Sequence, residues 1–356
     1  MALRVIPLII CALLAFSTFA NDNLRHMYGK PIKSWPTAET ADGQPAIALA
    51  PLKPKAPLAT SQQIALGERL FNDPLLSRDN SVSCASCHFS ERHFQDGRRS
   101  ATGVRKQVGK RNTPPIFGID HWESFFWDGR AQSATEQALK PIENPIEMDL
   151  PIADALKRLN ESPIYPSLFK NAYGREDITS PMLAMALVAF ERTIPPPKSK
   201  YQHFITLAET LPEKAQSMLS DSELQGLHLF RTKAQCMTCH EGALLSDNEF
   251  HVTGFHLYGR RFEDLGRSEF TQDVKDIGKF RTPSLLGVSN TGPWMHNGLF
   301  TQFRPMIEQY NAGGFRPKAR GSKASDPFFP VTTPLIEPLN LTEEEVTALV
   351  EFLNIL

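Results

Sequence analysis

CASCH, at residues 84–88, is the stretch that decides how this chain is organised. Cys84 and Cys87 can each form a thioether with a vinyl group of haem, and His88 then lies beneath the iron. A zinc site would need two more ligands nearby, and the next thiol pair lies far along the chain. That pair belongs to CMTCH at residues 236–240, which supplies Cys236, Cys239 and His240. The two motifs predict two covalently attached c-type haems rather than zinc or a redox dithiol.

The N-terminus is typical of a secretory signal. Arg4 precedes an apolar run over residues 5–16, and Thr18-Phe19-Ala20 resembles a cleavage site after Ala20. The run is shorter than the roughly 20 residues that span a bilayer, which argues against an uncleaved anchor. We expect residues 1–20 to be removed, a mature protein in the periplasm, and no stable insertion into the membrane.

Composition limits the remaining possibilities. The chain has 356 residues, which is enough for two domains, and its formal net charge of −1 argues against nucleic acid as a partner. Its 28 prolines indicate helices joined by long irregular loops. Residues 21–58 are rich in Pro and Ala without periodicity, which predicts an extended arm or linker.

The chain repeats itself around the two motifs. Residues 60–63 (TSQQ) and 220–223 (SDSE) are both plausible capping boxes, and each precedes a Gly-x-x-Leu-Phe sequence. Further matches follow in the same order: 111–115 with 280–284, 127–129 with 296–298, and 186–191 with 348–353. Matches in one order indicate a duplication. We predict an all-α protein of two cytochrome c-like haem domains, at residues 59–205 and 206–356.

Aligning the repeats at Trp127 and His296 contrasts the two iron sites. Fourteen residues further on, the first repeat has Pro141 and the second has Tyr310. Tyrosine can ligate ferric haem, whereas proline offers no donor atom. We therefore predict that His240 and Tyr310 close the second haem, while the first haem is open opposite its histidine. The alternative for Tyr310 is an ordinary packed aromatic residue.

An open haem that cleaves peroxide needs acid–base assistance. Residues 137–147 (QALKPIENPIE) contain Glu143 and Glu147, either of which could carry a proton between the peroxide oxygens. Both could equally be solvated loop carboxylates. Trp127 is the candidate relay for electrons between the haems, and its alternative is an ordinary core tryptophan.

Four longer stretches resemble the bacterial dihaem cytochrome c peroxidase and MauG superfamily. They are FFWDGR (125–130), EQALKPIENPIEM (136–148), FRTPSLLGVSN (280–290) and TGPWMHNG (291–298). The resemblance covers about residues 58–356. It implies that hydrogen peroxide reacts at the N-terminal haem, with Gln137 and Glu147 as the pair on the open side, Pro141 in the open pocket and Trp127 coupling the haems.

The resemblance also implies a single calcium ion between the domains. Its ligands would be the side-chain oxygen of Asn112, the backbone carbonyls of Thr291 and Pro293, and waters. Oxygen-only, water-rich coordination suits calcium.

Departures from the family pattern separate its branches. Peroxidases that need reductive activation carry a histidine where this chain has Val104, and they close the second haem with methionine rather than Tyr310. Tyr310 together with Pro141 resembles the MauG branch. MauG itself has a tryptophan where this chain has Ala234, so a methylamine dehydrogenase substrate is not indicated, and Trp294 becomes a candidate exit.

Three functions are compatible with this pattern. The first is a MauG-like enzyme that uses peroxide to oxidise a side chain of a periplasmic partner protein. The second is a cytochrome c peroxidase that takes electrons from a small cytochrome c or a cupredoxin. The third is a dihaem electron carrier without enzymatic activity, which requires both irons to be six-coordinate.

Overall fold

The computed structural model describes residues 22–55 and 58–356. The predicted signal segment lies outside them. The fold is mostly helical, as predicted, and the described residues also contain one two-stranded antiparallel sheet that the sequence did not indicate. The α-helices are α1 (Ser61–Asn72), α2 (Ala134–Glu143), α3 (Ile152–Glu161), α4 (Tyr165–Tyr173), α5 (Ser180–Glu191), α6 (Lys200–Thr210), α7 (Pro212–Ala215), α8 (Asp221–Arg231), α9 (Ser268–Thr271), α10 (Phe303–Asn311) and α11 (Glu343–Asn354). The strands are β1 (Phe250–His251) and β2 (Phe280–Arg281).

The first domain is built on the crossing of α1 and α5. The predicted capping box starts α1, where the Thr60 hydroxyl accepts from the backbone N–H of Gln63. The helices approach so closely that a Cβ at Gly67 would lie 1.9 Å from the carbonyl oxygen of Ala186. Phe71 and Phe190 then meet with ring centroids 5.0 Å apart. Glycine is therefore needed at the crossing for steric reasons.

The crossing of α8 and α11 repeats this geometry in the second domain. The second predicted capping box is present at Ser220, and a Cβ at Gly226 would lie 2.1 Å from the carbonyl oxygen of Ala348. Phe230 and Phe352 have centroids 5.4 Å apart, with an interplanar angle of 59° against 57° in the first domain. Two such similar crossings support the internal duplication.

Two clusters of buried apolar side chains correspond to the two repeats. One holds α1 and α5 together with α2, α3 and α4. The other holds α8 and α11 together with α6 and α10. Helix α6 contributes Tyr201, Phe204 and Ile205 to the second cluster. The division of the chain at residue 205 remains a prediction.

The N-terminal arm packs on the second domain. Residues 22–28 are helical, and most of the arm beyond them is irregular. Tyr28 and Trp35 are buried in the second cluster, and the guanidinium of Arg231 lies 5.2 Å from the ring centroid of Trp35. Further along, the backbone N–H of Ala41 donates to the Thr238 hydroxyl at 2.9 Å. The arm therefore borders the second haem-attachment motif.

No helix within residues 22–55 and 58–356 combines the length and the apolar character needed to cross a bilayer. Several loops between the described helices contain short 3₁₀ turns, and two of these turns, Cys84–Ser86 and Cys236–Thr238, open the two CxxCH motifs.

Candidate haem centres

The first motif presents His88 in a form suited to ligation. The backbone N–H of His88 donates to the carbonyl of Cys84 at 2.9 Å, which closes the turn of the motif. Its ring Nδ1 donates to the carbonyl of Phe94 at 2.6 Å, since a carbonyl can only accept. Burial lowers the pKa of His88, so the ring is neutral. Nε2 is therefore the unprotonated nitrogen that an iron would take.

The second motif has the same geometry. The backbone N–H of His240 donates to the carbonyl of Cys236 at 2.8 Å, and Nδ1 donates to the carbonyl of Leu245 at 3.0 Å. Burial also lowers the pKa of His240. Both motifs thus offer a neutral imidazole with Nε2 available.

A cavity of about 830 Å³ connects the two motifs. Its walls contain all four motif cysteines, none of which forms a disulfide, and both motif histidines. Arg281 also lines it: the guanidinium lies 3.6 Å from the ring centroid of Trp122, and its Nη1 is buried without a hydrogen-bond partner among the described residues. A buried cation without a partner is costly, and haem propionates are anions that would pair with it. The residues present therefore fit two haems.

Pro141 and Tyr310 occupy equivalent positions around this cavity. Pro141 is the eighth residue of α2 and Tyr310 is the eighth residue of α10. Both line the cavity. Burial raises the pKa of the Tyr310 hydroxyl above its ordinary value. A positive metal centre is the kind of neighbour that would instead stabilise its phenolate.

Glu147 is the candidate acid–base residue that faces the cavity. Its Oε1 accepts from Nδ2 of Asn144 at 2.7 Å, and its backbone carbonyl accepts from Val104 at 2.8 Å. Burial raises the pKa of Glu147, although the charge of Arg130 opposes this. Gln137, on α2, lines the same cavity.

Glu143 differs from Glu147 because it is exposed and lies outside the cavity lining. The sequence alone could not separate these two carboxylates, since both lie in the same Pro-rich segment.

Trp127 lies at the junction of the two repeats. Its indole N–H donates to the carbonyl of Asn112 at 2.9 Å, and its own carbonyl accepts from the backbone N–H of Arg281 at 2.7 Å. The ring of His296, its partner in the repeat, is 6.4 Å away between centroids. These bonds fix the indole in the cavity wall that both motifs share.

The three residues expected to hold calcium also border the cavity. Asn112 is buried, and its Nδ2 donates to the carbonyl of Arg98 at 2.8 Å, which leaves Oδ1 as the candidate donor atom. Thr291 and Pro293 belong to a loop whose carbonyls at Asn290 and Gly292 accept from Gln95. A calcium ion at this place remains a prediction.

Two features of the cavity were missed by sequence reasoning. The sequence indicated Arg281 only as part of a repeat match. Its counterpart in the first repeat, Asn112, is uncharged, and this difference could have marked Arg281 as a functional candidate. Glu191, at the end of α5, is a buried carboxylate in the cavity wall. The repeat alignment carried a usable signal here, because Glu191 occupies the position of Leu353.

Comparison with known proteins places the chain in a family. Residues 61–210 match the family model described as di-haem cytochrome c peroxidase. The methylamine utilization protein MauG of Methylorubrum extorquens is 33% identical over 85% of this chain and 80% of its own length. The cytochrome c551 peroxidase of Nitrosomonas europaea is 31% identical over 70% of this chain and 72% of its own length.

A solved structure is also similar. A MauG-like protein associated with microbial copper homeostasis superposes with a TM-score of 0.72, at 27% identity, over 87% of this chain and 93% of its own. The relatives are peroxidases and MauG proteins, which supports an enzyme over an electron carrier. The chain belongs to the dihaem cytochrome c peroxidase and MauG family, and it is a haem-dependent peroxidase with two c-type haems.

Proposed function

We propose that this protein is a periplasmic, MauG-like peroxidase that uses hydrogen peroxide to oxidise a side chain of a partner protein. The observation that carries the proposal is the contrast between Pro141 and Tyr310 at the same position of equivalent helices. His88 would hold the first haem with its opposite face open. His240 and Tyr310 would hold the second haem from both faces.

On the open side of the first haem, Glu147 would transfer the proton and Gln137 would orient the peroxide. Oε1 of Glu147 is held by Asn144, which leaves Oε2 to take a proton from one peroxide oxygen and to deliver it to the other. The raised pKa of Glu147 brings the carboxyl closer to neutral pH, where it can both accept and donate. Gln137 would orient peroxide or water through its amide.

The overall reaction needs two electrons and two protons for each peroxide, which leaves as two water molecules. The first haem, when bound, supplies the iron at which peroxide is reduced, and the second adds redox capacity. Trp127 lies in the wall between the two motifs and would conduct electrons from one to the other. The electrons and protons come from a tryptophan or tyrosine of the partner, with Trp294 as the candidate contact on this chain.

The test mixes the diferric protein with stoichiometric peroxide and follows the absorbance of both haems. We expect both haem spectra to change without prior reduction, and a partner encoded by a neighbouring gene to gain a mass change at Trp or Tyr. A Tyr310→His variant should keep both haems but confine the spectral change to the first. A requirement for half-reduction before any reaction would overturn the proposal.

A second candidate function is a cytochrome c peroxidase that returns peroxide to water. It is favoured by relatives that carry this name. The electrons would then come from a small cytochrome c or a cupredoxin. A high steady-state rate with ferrocytochrome c, together with no mass change in a partner protein, would establish this function instead.

We also propose one calcium ion held by Asn112, Thr291 and Pro293. Removal of calcium with a chelator should alter the spectrum of the haems, and calcium alone should restore it while magnesium does not.

A further inference from the structure

Glu191 is a buried carboxylate that the peroxide chemistry described above does not use. It is the last residue of α5 and is only 6% exposed. Among the described residues it has no hydrogen bond or ion pair through its side chain; the adjacent Arg192 pairs with Asp120 at 2.8 Å instead. Burial raises the pKa of Glu191 to about 8. An isolated buried carboxyl costs folding free energy, so its presence calls for a physical reason.

The side chain lies at the first haem-attachment motif. Glu191 lines the cavity, and its carboxyl is close enough to act electrostatically on Cys84. Cys84 would carry one thioether bond to the edge of the first haem. A haem attached at Cys84 would therefore have Glu191 near its edge, inside the cavity rather than at the protein surface.

The second repeat has Leu353 at the equivalent position. The equivalence follows from the helix crossings, in which the preceding residues, Phe190 and Phe352, contact Gly67 and Gly226 in the same way. Leu353 is buried and lines the cavity beside the second motif. At this pair of matched positions, the first repeat thus has a buried carboxyl and the second has an apolar side chain.

We propose that Glu191 lowers the reduction potential of the first haem relative to the second. A carboxylate in a buried site favours the more positive, oxidised form of a nearby iron, because screening by water is weak there. When the ferric haem takes up one electron, this favourable interaction is lost. Leu353 gives the second haem no such contribution. The proposal depends only on the presence of two haems and not on the identity of the electron donor.

The test compares Glu191→Gln and Glu191→Leu with the wild-type holoprotein by spectroelectrochemical titration at pH 9, where the carboxyl is ionised. We expect an upward shift in the midpoint potential of the first haem in both variants, with the second haem unchanged. Glu161→Gln is the matched control, because it removes one exposed carboxylate from the same domain. It should leave both potentials unchanged.

An unchanged first haem, or equal shifts at both haems, would overturn the proposal. Leu353→Glu makes the reciprocal test and should lower the potential of the second haem; if neither Glu191 variant folds, this variant decides the question. Since the titrations contain no peroxide, they are independent of the proposed oxidation of a partner protein. If the wild-type protein fails to react with peroxide while the Glu191 variants still show the expected shift at the first haem, this inference stands and the proposed function alone fails.

Discussion

The two halves of this molecule share a scaffold and differ in what they place against the cavity. The crossing of α1 with α5 and that of α8 with α11 have matching glycine contacts and matching phenylalanine pairs. On this common scaffold the repeats differ at two matched positions. Pro141 in the first repeat corresponds to Tyr310 in the second, and Glu191 corresponds to Leu353. The shared scaffold gives each matched pair the same place in its repeat, and we propose that single substitutions there assign different tasks to the two irons.

A second contrast concerns the surroundings of each motif. The first has Glu147 and Gln137 in the cavity wall. The second is bordered by the N-terminal arm, where Ile47 donates its backbone N–H to Glu241 at 2.6 Å. Glu147 and Gln137 thus accompany the site with proline, while the site with tyrosine has the pair of His251 and Asp247 beside Cys239 and additional backbone from the arm. This arrangement supports a division between a reactive and an electron-storing centre.

The largest expected effect comes from making the two sites alike. Pro141→Tyr places a phenol at the helix position that Tyr310 occupies, and we expect nearly complete loss of the peroxide reaction because the first iron gains a sixth ligand. A helix interior accepts Tyr more readily than Pro, so folding should not suffer. Stopped-flow absorbance measures the reaction, and EPR should show loss of the high-spin ferric signal.

Tyr310→Phe is the converse change. It should open the second haem and add a high-spin ferric signal while leaving both haems attached. If Pro141→Tyr reacts at the wild-type rate, the contrast between proline and tyrosine does not control access to the iron.

The next effect separates two carboxylates in one segment. Glu147→Gln should slow the reaction with peroxide by about 10²–10⁴-fold, which is the usual contribution of a positioned acid–base group. The haem content should not change. The exposed Glu143 is the matched comparison, and Glu143→Gln should react at the wild-type rate in the same stopped-flow experiment. Equal rates for the two variants would mean that burial in the cavity does not distinguish them.

Much of this architecture could be predicted from the sequence, because it depends on local patterns. The motifs, both capping boxes and the repeated Gly-x-x-Leu-Phe helices are short-range signals, and the all-α fold followed from them. The contrast between Pro141 and Tyr310 came from aligning the repeats. The sequence alone predicts this contrast, because Pro141 lies as far from Trp127 as Tyr310 does from His296.

The remaining features depend on contacts between distant segments. The arm has no periodicity, yet Tyr28 contacts His228 through a hydrogen bond of 3.0 Å across 200 positions of sequence. Likewise, the sequence of α5 predicts an apolar helix, and only the packing of this helix shows that the side chain of Glu191 is buried in the cavity wall. Burial of a single polar residue at a helix end leaves no local trace, and within the sequence only the alignment of the two repeats, which pairs Glu191 with Leu353, carries a signal for it.

The equivalence of the two helix crossings predicts a matched loss of stability. Gly67→Ala would put a methyl group 1.9 Å from the carbonyl oxygen of Ala186, and Gly226→Ala would put one 2.1 Å from that of Ala348. Because backbone must move, we expect each variant to lose about 3 kcal/mol of unfolding free energy. Urea unfolding measures the loss. A large effect at one glycine and none at the other would show that the crossings differ.

The smallest effects concern the two capping boxes. Thr60→Ala and Ser220→Ala each remove a hydroxyl that accepts a backbone N–H, and each should cost about 1 kcal/mol of unfolding free energy. The boxes are not identical, however, because Glu223 also accepts from Lys200 at 2.7 Å and thereby ties α8 to α6.

Glu223→Ala should therefore lower the free energy of unfolding more than Gln63→Ala does. It removes an anion from a helix N-terminus and also the ion pair with Lys200. Added salt should weaken the wild-type contribution of Glu223 and leave that of Gln63 unchanged, which thermal unfolding at two salt concentrations would measure. Equal losses that do not respond to salt would mean that the two caps act only through backbone hydrogen bonds.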